Sequence, residues 1–249
     1  MSGHSRWSTI KRKKSVADQK RGREFSKMIR ALTLEARNSG GDINANARLR
    51  TIVDKARAIN MPMENITRAI QRGAGELEGV TYEECIYEGY GPSGVAIMVE
   101  TVTDNKNRTA AEIRHIFSKL GGSLGESGCV NWMFDKKGVI LVSAAETDED
   151  TIMEIGIEHG AEEVQQDGDF YRITSAPADF EAIKKAVQDA DIKVESAEIS
   201  MEPRTVIRLT GKDAEHVLRI VNALEENDDV QNVYSNFDIP DEVMEKLAS

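Results

Sequence analysis

Residues 103–109 read TDNKNRT and gather two carboxamides, a guanidinium, an ammonium and a carboxylate into seven positions. Asp104 opens the stretch like a calcium loop, but Lys106 stands third, Thr109 sixth and His115 twelfth, where Asp or Asn, Gly and Glu are needed. Calcium is excluded. What remains is a donor set: Asn105, Asn107 and Arg108 at the start of an amphipathic helix, where backbone N–H groups without intrahelical partners add to them. Such donors suit phosphate or the polar edges of RNA. A helix cap accounts for one of the amides equally well, and both accounts stand.

A second concentration of donors opens the chain. Residues 4–14, HSRWSTIKRKK, hold Arg6, Lys11, Arg12, Lys13 and Lys14 around Trp7, and Lys20, Arg21 and Arg23 follow. Cations at this density bind polyanions chiefly by counterion release, with a salt slope of about −0.9 per neutralised phosphate on duplex DNA and about −0.7 on single strands. Trp7 offers a face on which a base stacks, or an anchor that packs the arm onto the body. No pattern here specifies a base sequence.

No catalytic constellation competes with these donors. His4, His115, His159 and His216 are scattered without metal-ligand spacing, and no G-x-S-x-G, P-loop or H-E-x-x-H occurs. The carboxylate runs at 146–150, 162–163 and 225–229 read as solvated caps and turns. Cys85 and Cys129 have neither a CxxC spacing nor a neighbouring His, so no disulfide framework or zinc site is expected, and a reducing compartment is. No catalytic residue, metal, cofactor or small-molecule ligand is expected.

The charge is bipolar. The net charge is −11, yet residues 1–80 hold 17 Lys and Arg against 8 Asp and Glu, while residues 81–249 hold 15 against 35. A basic arm for a polyanion joined to a body that repels it is the functional implication, against a merely solvated helical surface. No apolar run of seven or more follows the basic start, and none approaches the ~18 residues that cross a bilayer. A cytoplasmic protein without membrane contact is expected.

Positioning these groups falls to two kinds of element. Phe25, Met28, Ile29, Leu32 and Ala36 keep helical spacing, as do Leu49, Ile52, Val53 and Ala56, and then Ile66, Ala69 and Ile70; the breaks fall at 38–41, at 60–62 and at Gly73. Three short helices make a bundle, and the first eighteen or so residues lie outside its apolar pattern. Beyond Gly79 the period changes to that of strands. Gly89–Gly94 matches G-x-G-x-x-G but joins two β-rich runs, which excludes a dinucleotide site and marks a hairpin.

From Val95 the chain repeats four times a β-rich run, a cap, an amphipathic helix and a second β-rich run. Two such units make one ferredoxin-like βαββαβ sandwich, so four imply two domains. Asp167-Gly168 is a hairpin signal that joins units two and three, with one and four closing around them. The competing order pairs one with two and three with four through a turn at 135–138.

The segments GHSRWSTIKRKK, KRGREFSKMIR, NMPMENITRAI, YEGYGPSGVAIMVETVTDNKNRTAAEIRHIFSKLGG and VNWMF together resemble the YebC/PmpR family, which includes bacterial transcriptional regulators and a mitochondrial translational activator of cytochrome oxidase. The resemblance runs through nearly the whole chain and is most specific between residues 3 and 134. It implies an α+β multidomain fold, an N-terminal three-helix bundle plus two ferredoxin-like domains, one inserted in the other. The expected boundaries are 1–80 for arm and bundle, 81–134 with 204–240 for a discontinuous domain, and 135–203 for the insertion.

The resemblance also implies nucleic-acid binding, to promoter DNA in some members and in ribosome-associated translation in others. Lys11–Lys14 and Lys20–Arg23 match its basic N-terminal motif, and Asp104–Arg108 its TDNxNR stretch. Ile43 replaces a usual proline and Cys129 a usual serine, both local departures. The expectation is a non-enzymatic nucleic-acid-binding regulator, with DNA or RNA and the ribosome as partner, or alternatively an assembly scaffold.

Overall fold

The computed structural model describes the backbone of residues 18–240 and 243, and side chains from residue 22. Met133–Arg204 forms one compact unit and the rest of the described chain another.

Helix α1 spans Asp18–Ser39. It begins almost two turns before Phe25, because residues 18–24 are mostly good helix formers but polar all round, so no apolar period announces them. α2, Ala47–Ala58, starts where the Asn46 side chain accepts from the Leu49 N–H at 2.9 Å and stops before Asn60, which takes a φ of 59°. Pro62, with a φ of −58° and an extended ψ of 136°, is the N-cap residue of α3, Met63–Gly73. Leu32, Ala36, Leu49, Val53, Met61, Ile66 and Ile70 form the buried core of this bundle.

Where α3 ends on α1 the backbones nearly touch. A Cβ at Gly73 would lie 2.2 Å from the Thr33 carbonyl oxygen and 2.7 Å from the Ala36 Cβ. Gly73→Ala therefore forces main chain apart, and its expected cost is about 1–3 kcal/mol, read as a lowered midpoint in thermal unfolding followed by circular dichroism at the helical band.

The outer α/β domain follows: β1 (Glu83–Tyr90), β2 (Ala96–Thr103), α4 (Lys106–Lys119) and the short β3 (Ser123–Leu124). β1 and β2 form the expected hairpin, with Glu83 opposite Thr103 and Tyr90 opposite Ala96. Its bend needs left-handed backbone at Ser93 and Gly94. Residues 204–240 then supply β8 (Ile207–Arg208), α7 (Gly211–Glu225), β9 (Val230–Ser235) and β10 (Phe237–Asp238).

The four-stranded sheet has the order β3-β1-β2-β9. β1, which precedes the first repeat, takes a central place, whereas the fourth repeat's first run, β8, pairs only with β10 outside that sheet. The layer is ferredoxin-like in its strands and helices, but its chain order is altered. Ile97 and Val99 face the core with Ile113, Phe117, Val217 and Val221. Met98 and Val102, alternating to the opposite face, are buried as well, since α1 packs on β2 and β9. That two-sided burial erases polar alternation from β2.

The inserted domain is a complete βαββαβ unit: β4 (Phe134–Ser143), α5 (Glu149–Glu158), β5 (Ala161–Asp167), β6 (Phe170–Ser175), α6 (Phe180–Asp189) and β7 (Val194–Pro203), in sheet order β5-β6-β4-β7. Residues 135–138 lie within β4, so the competing turn does not form. Asp167 pairs with Phe170, leaving Gly168 and Asp169 as the two loop residues, with Gly168 at a φ of 58°. Phe134 and Pro203 are cross-strand partners, so the insertion's two ends meet. Ile140, Ile152, Ile173, Phe180 and Ile183 fill its core.

Candidate nucleic-acid interface

Arg6, Trp7, Lys11, Arg12, Lys13 and Lys14 lie outside the described residues, and Lys20 and Arg21 belong to α1 with side chains that are not described. Arg23 is exposed on the same helix, as is Arg37 near its end; Arg57 and Arg72 are exposed elsewhere on the bundle. Other cations are engaged. Arg48 reaches Glu35 at 3.2 Å and Glu84 at 3.5 Å, and Arg68 pairs with Glu64 one turn away at 2.6 Å.

The polar stretch at 103–109 is buried at Thr103 and Thr109 and exposed between them, but most of its groups are already engaged. Asn105 is the N-cap of α4, its side chain accepting from the Arg108 N–H at 3.1 Å. Its own N–H donates to the Thr103 Oγ1 at 2.9 Å. The Arg108 guanidinium bridges Asp104 at 2.7 Å and Asp229 at 2.9 Å. Lys106 pairs with Glu83 at 2.6 Å, and Asn107 is exposed. Capping and ion pairing thus occupy Asn105 and Arg108, leaving Asn107 as the outward amide of the three.

Asp229 organises this cluster. It is buried, and besides Arg108 its Oδ2 accepts from Thr109 at 2.6 Å and Thr103 at 3.0 Å. Burial pushes its pKa up, but the hydrogen bonds from Thr109, Arg108 and Thr103, with the nearby charge of Arg30, more than reverse that, and the net direction is down. Hydrogen bonds to Asp229 and Asp104 hold the Arg108 guanidinium protonated.

From the bundle, Arg30 lies 3.3 Å from the Asp229 Oδ1 and donates to the Asp228 carbonyl, while Lys27 donates to the Glu225 carbonyl at 2.6 Å. Both reach acceptors at or just past the negative end of α7. A polar groove of about 460 Å³ opens here. It is lined by three guanidiniums, Arg23, Arg30 and Arg108, and five carboxylates, Asp104, Glu112, Glu226, Asp228 and Asp229. With carboxylates in excess, it does not attract phosphate as it stands.

Sequence reasoning took Asp229 for part of a solvated turn, which its burial overturns, and it missed Glu88. Glu88, also buried, accepts from the N–H groups of Gly128, Val130 and Asn131 at 2.7–2.8 Å and pins their loop. Only one local signal marked Asp229, a carboxylate abutting the apolar start of a strand. Its partner Arg108 stands 121 residues away.

Among the described residues no group of His, Cys, Asp and Glu is arranged to hold a metal ion, and no helix is long and apolar enough to cross a membrane.

Comparison with known proteins matches residues 5–76 to the family model described as TACO1/YebC protein N-terminal domain, and residues 82–237 to that of the TACO1/YebC second and third domain. A probable transcriptional regulatory protein of Desulforapulum autotrophicum is 58% identical over 247 residues, covering 99% of this chain and 100% of its own. One of Geobacter sulfurreducens is 54% identical with the same coverage. The crystal structure of a conserved hypothetical protein from Aquifex aeolicus superposes with a TM-score of 0.82 at 46% identity, covering 91% of this chain and 93% of that one.

Proposed function

Because the chain belongs to the TACO1/YebC family, we propose that it is a regulator of gene expression that binds nucleic acid, acting in the cytoplasm as a DNA-binding transcriptional regulatory protein. The observation that carries this is the separation of charge: 17 cations against 8 anions in residues 1–80, 15 against 35 in the remainder. The arm residues Arg6, Trp7, Lys11, Arg12, Lys13 and Lys14 make the principal contacts, continued along α1 by Lys20, Arg21 and Arg23. Of the TDNKNRT stretch, Asn107 is the side chain best placed to join them. The names of the relatives support a transcriptional role. Neither catalysis nor a cofactor enters this function.

A second reading, an RNA or ribosome-binding translation factor, is favoured by the sparse donors of α3, where Arg68 is taken by Glu64 and Arg72 is the exposed guanidinium. A helix that reads the major groove presents free donors to base edges. Crosslinking in cells followed by sequencing of bound DNA and RNA tests both. Enrichment of promoter DNA supports the first, enrichment of ribosomal RNA or messenger RNA the second, and enrichment of neither overturns nucleic-acid binding.

A further inference from the structure

The turn after α7 meets the cations of α1 with the chemistry a phosphate strand would offer: carbonyl oxygens at Glu225 and Asp228, and carboxylates at Glu226, Asp228 and Asp229. We propose that this contact is an autoinhibitory latch, in which the acidic turn 225–229 occupies Lys27 and Arg30 until a nucleic-acid strand displaces it. The proposal rests on the nucleic-acid-binding function above and specifies how that binding is restrained.

The contact is built to be exchanged. Asp229 is already satisfied by Thr103, Thr109 and Arg108, so the departure of Arg30 leaves no buried charge unpaired. The other acceptors are main-chain carbonyls, which water can solvate once the cations leave. On α1, Arg23, Lys27 and Arg30 follow one another at four and three residues, so Lys27 and Arg30, once released, would join the exposed Arg23 on one face of the helix. α1 keeps its apolar packing on β2 and β9, so a nucleic-acid strand would free Lys27 and Arg30 by rotation of their side chains and not by moving the bundle. The flanking carboxylates Glu226 and Asp228 are exposed, so salt weakens their attraction for the α1 cations.

The test uses the full chain and a fluorescein-labelled single-stranded RNA, with a duplex DNA of equal length beside it. Neutralising the groove carboxylates with Glu226→Gln and Asp228→Asn is expected to tighten binding by about threefold to tenfold at low salt. A charge-matched control on α5, Glu154→Gln with Glu158→Gln, is expected to change affinity less. Hydrogen exchange of wild type is expected to quicken in 225–229 on raising potassium chloride, with the helices unchanged. A wild type that binds neither oligonucleotide overturns the binding function itself. A wild type that binds, with a groove variant no tighter than the control, or with exchange indifferent to salt, overturns the latch alone.

Discussion

Replacing Lys11, Arg12, Lys13 and Lys14 together with alanine is expected to lower affinity for nucleic acid on the order of a hundredfold at about 100 mM salt. It should also flatten the salt dependence. Each cation held at a phosphate contributes about 0.7 to the logarithmic slope on single strands and about 0.9 on duplex, so four lost contacts reduce it by roughly 3 to 4. The loss should be nearly uniform across sequences, because phosphate contacts position a protein without reading bases. Fluorescence anisotropy over a salt series measures both quantities. Reduced affinity with an unchanged slope would assign the arm a structural part, and unchanged affinity would remove it from the interface.

The largest expected effect on stability is at Asp229. Asp229→Ala takes away the acceptor shared by Thr103, Thr109 and Arg108; Thr109 can still donate to the Asn105 carbonyl at 3.1 Å, while the Thr103 hydroxyl and part of the guanidinium lose their acceptor. Arg108 is partly exposed and keeps Asp104, so the cost is that of the lost charge-assisted hydrogen bonds, about 3 kcal/mol. For a protein of this size that corresponds to a midpoint lower by about 10 °C, measured by differential scanning calorimetry. Adding Arg108→Ala should cost far less than its single effect, since its main partner is already gone.

The same group gives the outer domain a dependence on acid. The native pKa of Asp229 is lowered relative to the unfolded chain, so its stabilising contribution is complete above the unfolded value of about 3.9 and is lost as pH falls through the native value. Wild type should therefore lose stability below about pH 4 more steeply than Asp229→Asn, which has no carboxylate to protonate at that position. Parallel acid titrations followed by circular dichroism would expose equal slopes, and equal slopes would remove Asp229 from the acid response.

What sequence could anticipate follows from the range of each interaction. The bundle helices were legible because Leu32, Ala36, Leu49, Val53, Ile66 and Ile70 repeat within a few residues of one another, and the helical period is local. The two-residue loop at Gly168 and Asp169 was nearly so, displaced by one residue from its Asp-Gly signal. β8 misled because Val206–Leu209 has strand composition, while its pairing with β10 outside the main sheet depends on contacts some thirty residues on.

The TDNKNRT stretch carries the same lesson at a site. Its residue types are those of an anion-binding helix start, yet Asp229, brought in by β9, turns Arg108 to an internal use. Spacing assigned a cap to one of the amides without choosing between them, and nothing local distinguished a guanidinium that faces solvent from one that bridges two carboxylates. Partners far apart in sequence are what a one-dimensional reading leaves undetermined.

The pairing of Phe134 with Pro203 has an evolutionary consequence. A module whose entry and exit are hydrogen-bonded neighbours can be gained, exchanged or excised as a cassette, with a short turn closing the gap in the host. Its surface is thereby free to diverge towards new accessories while the host's sheet, helices and basic arm continue under their own selection.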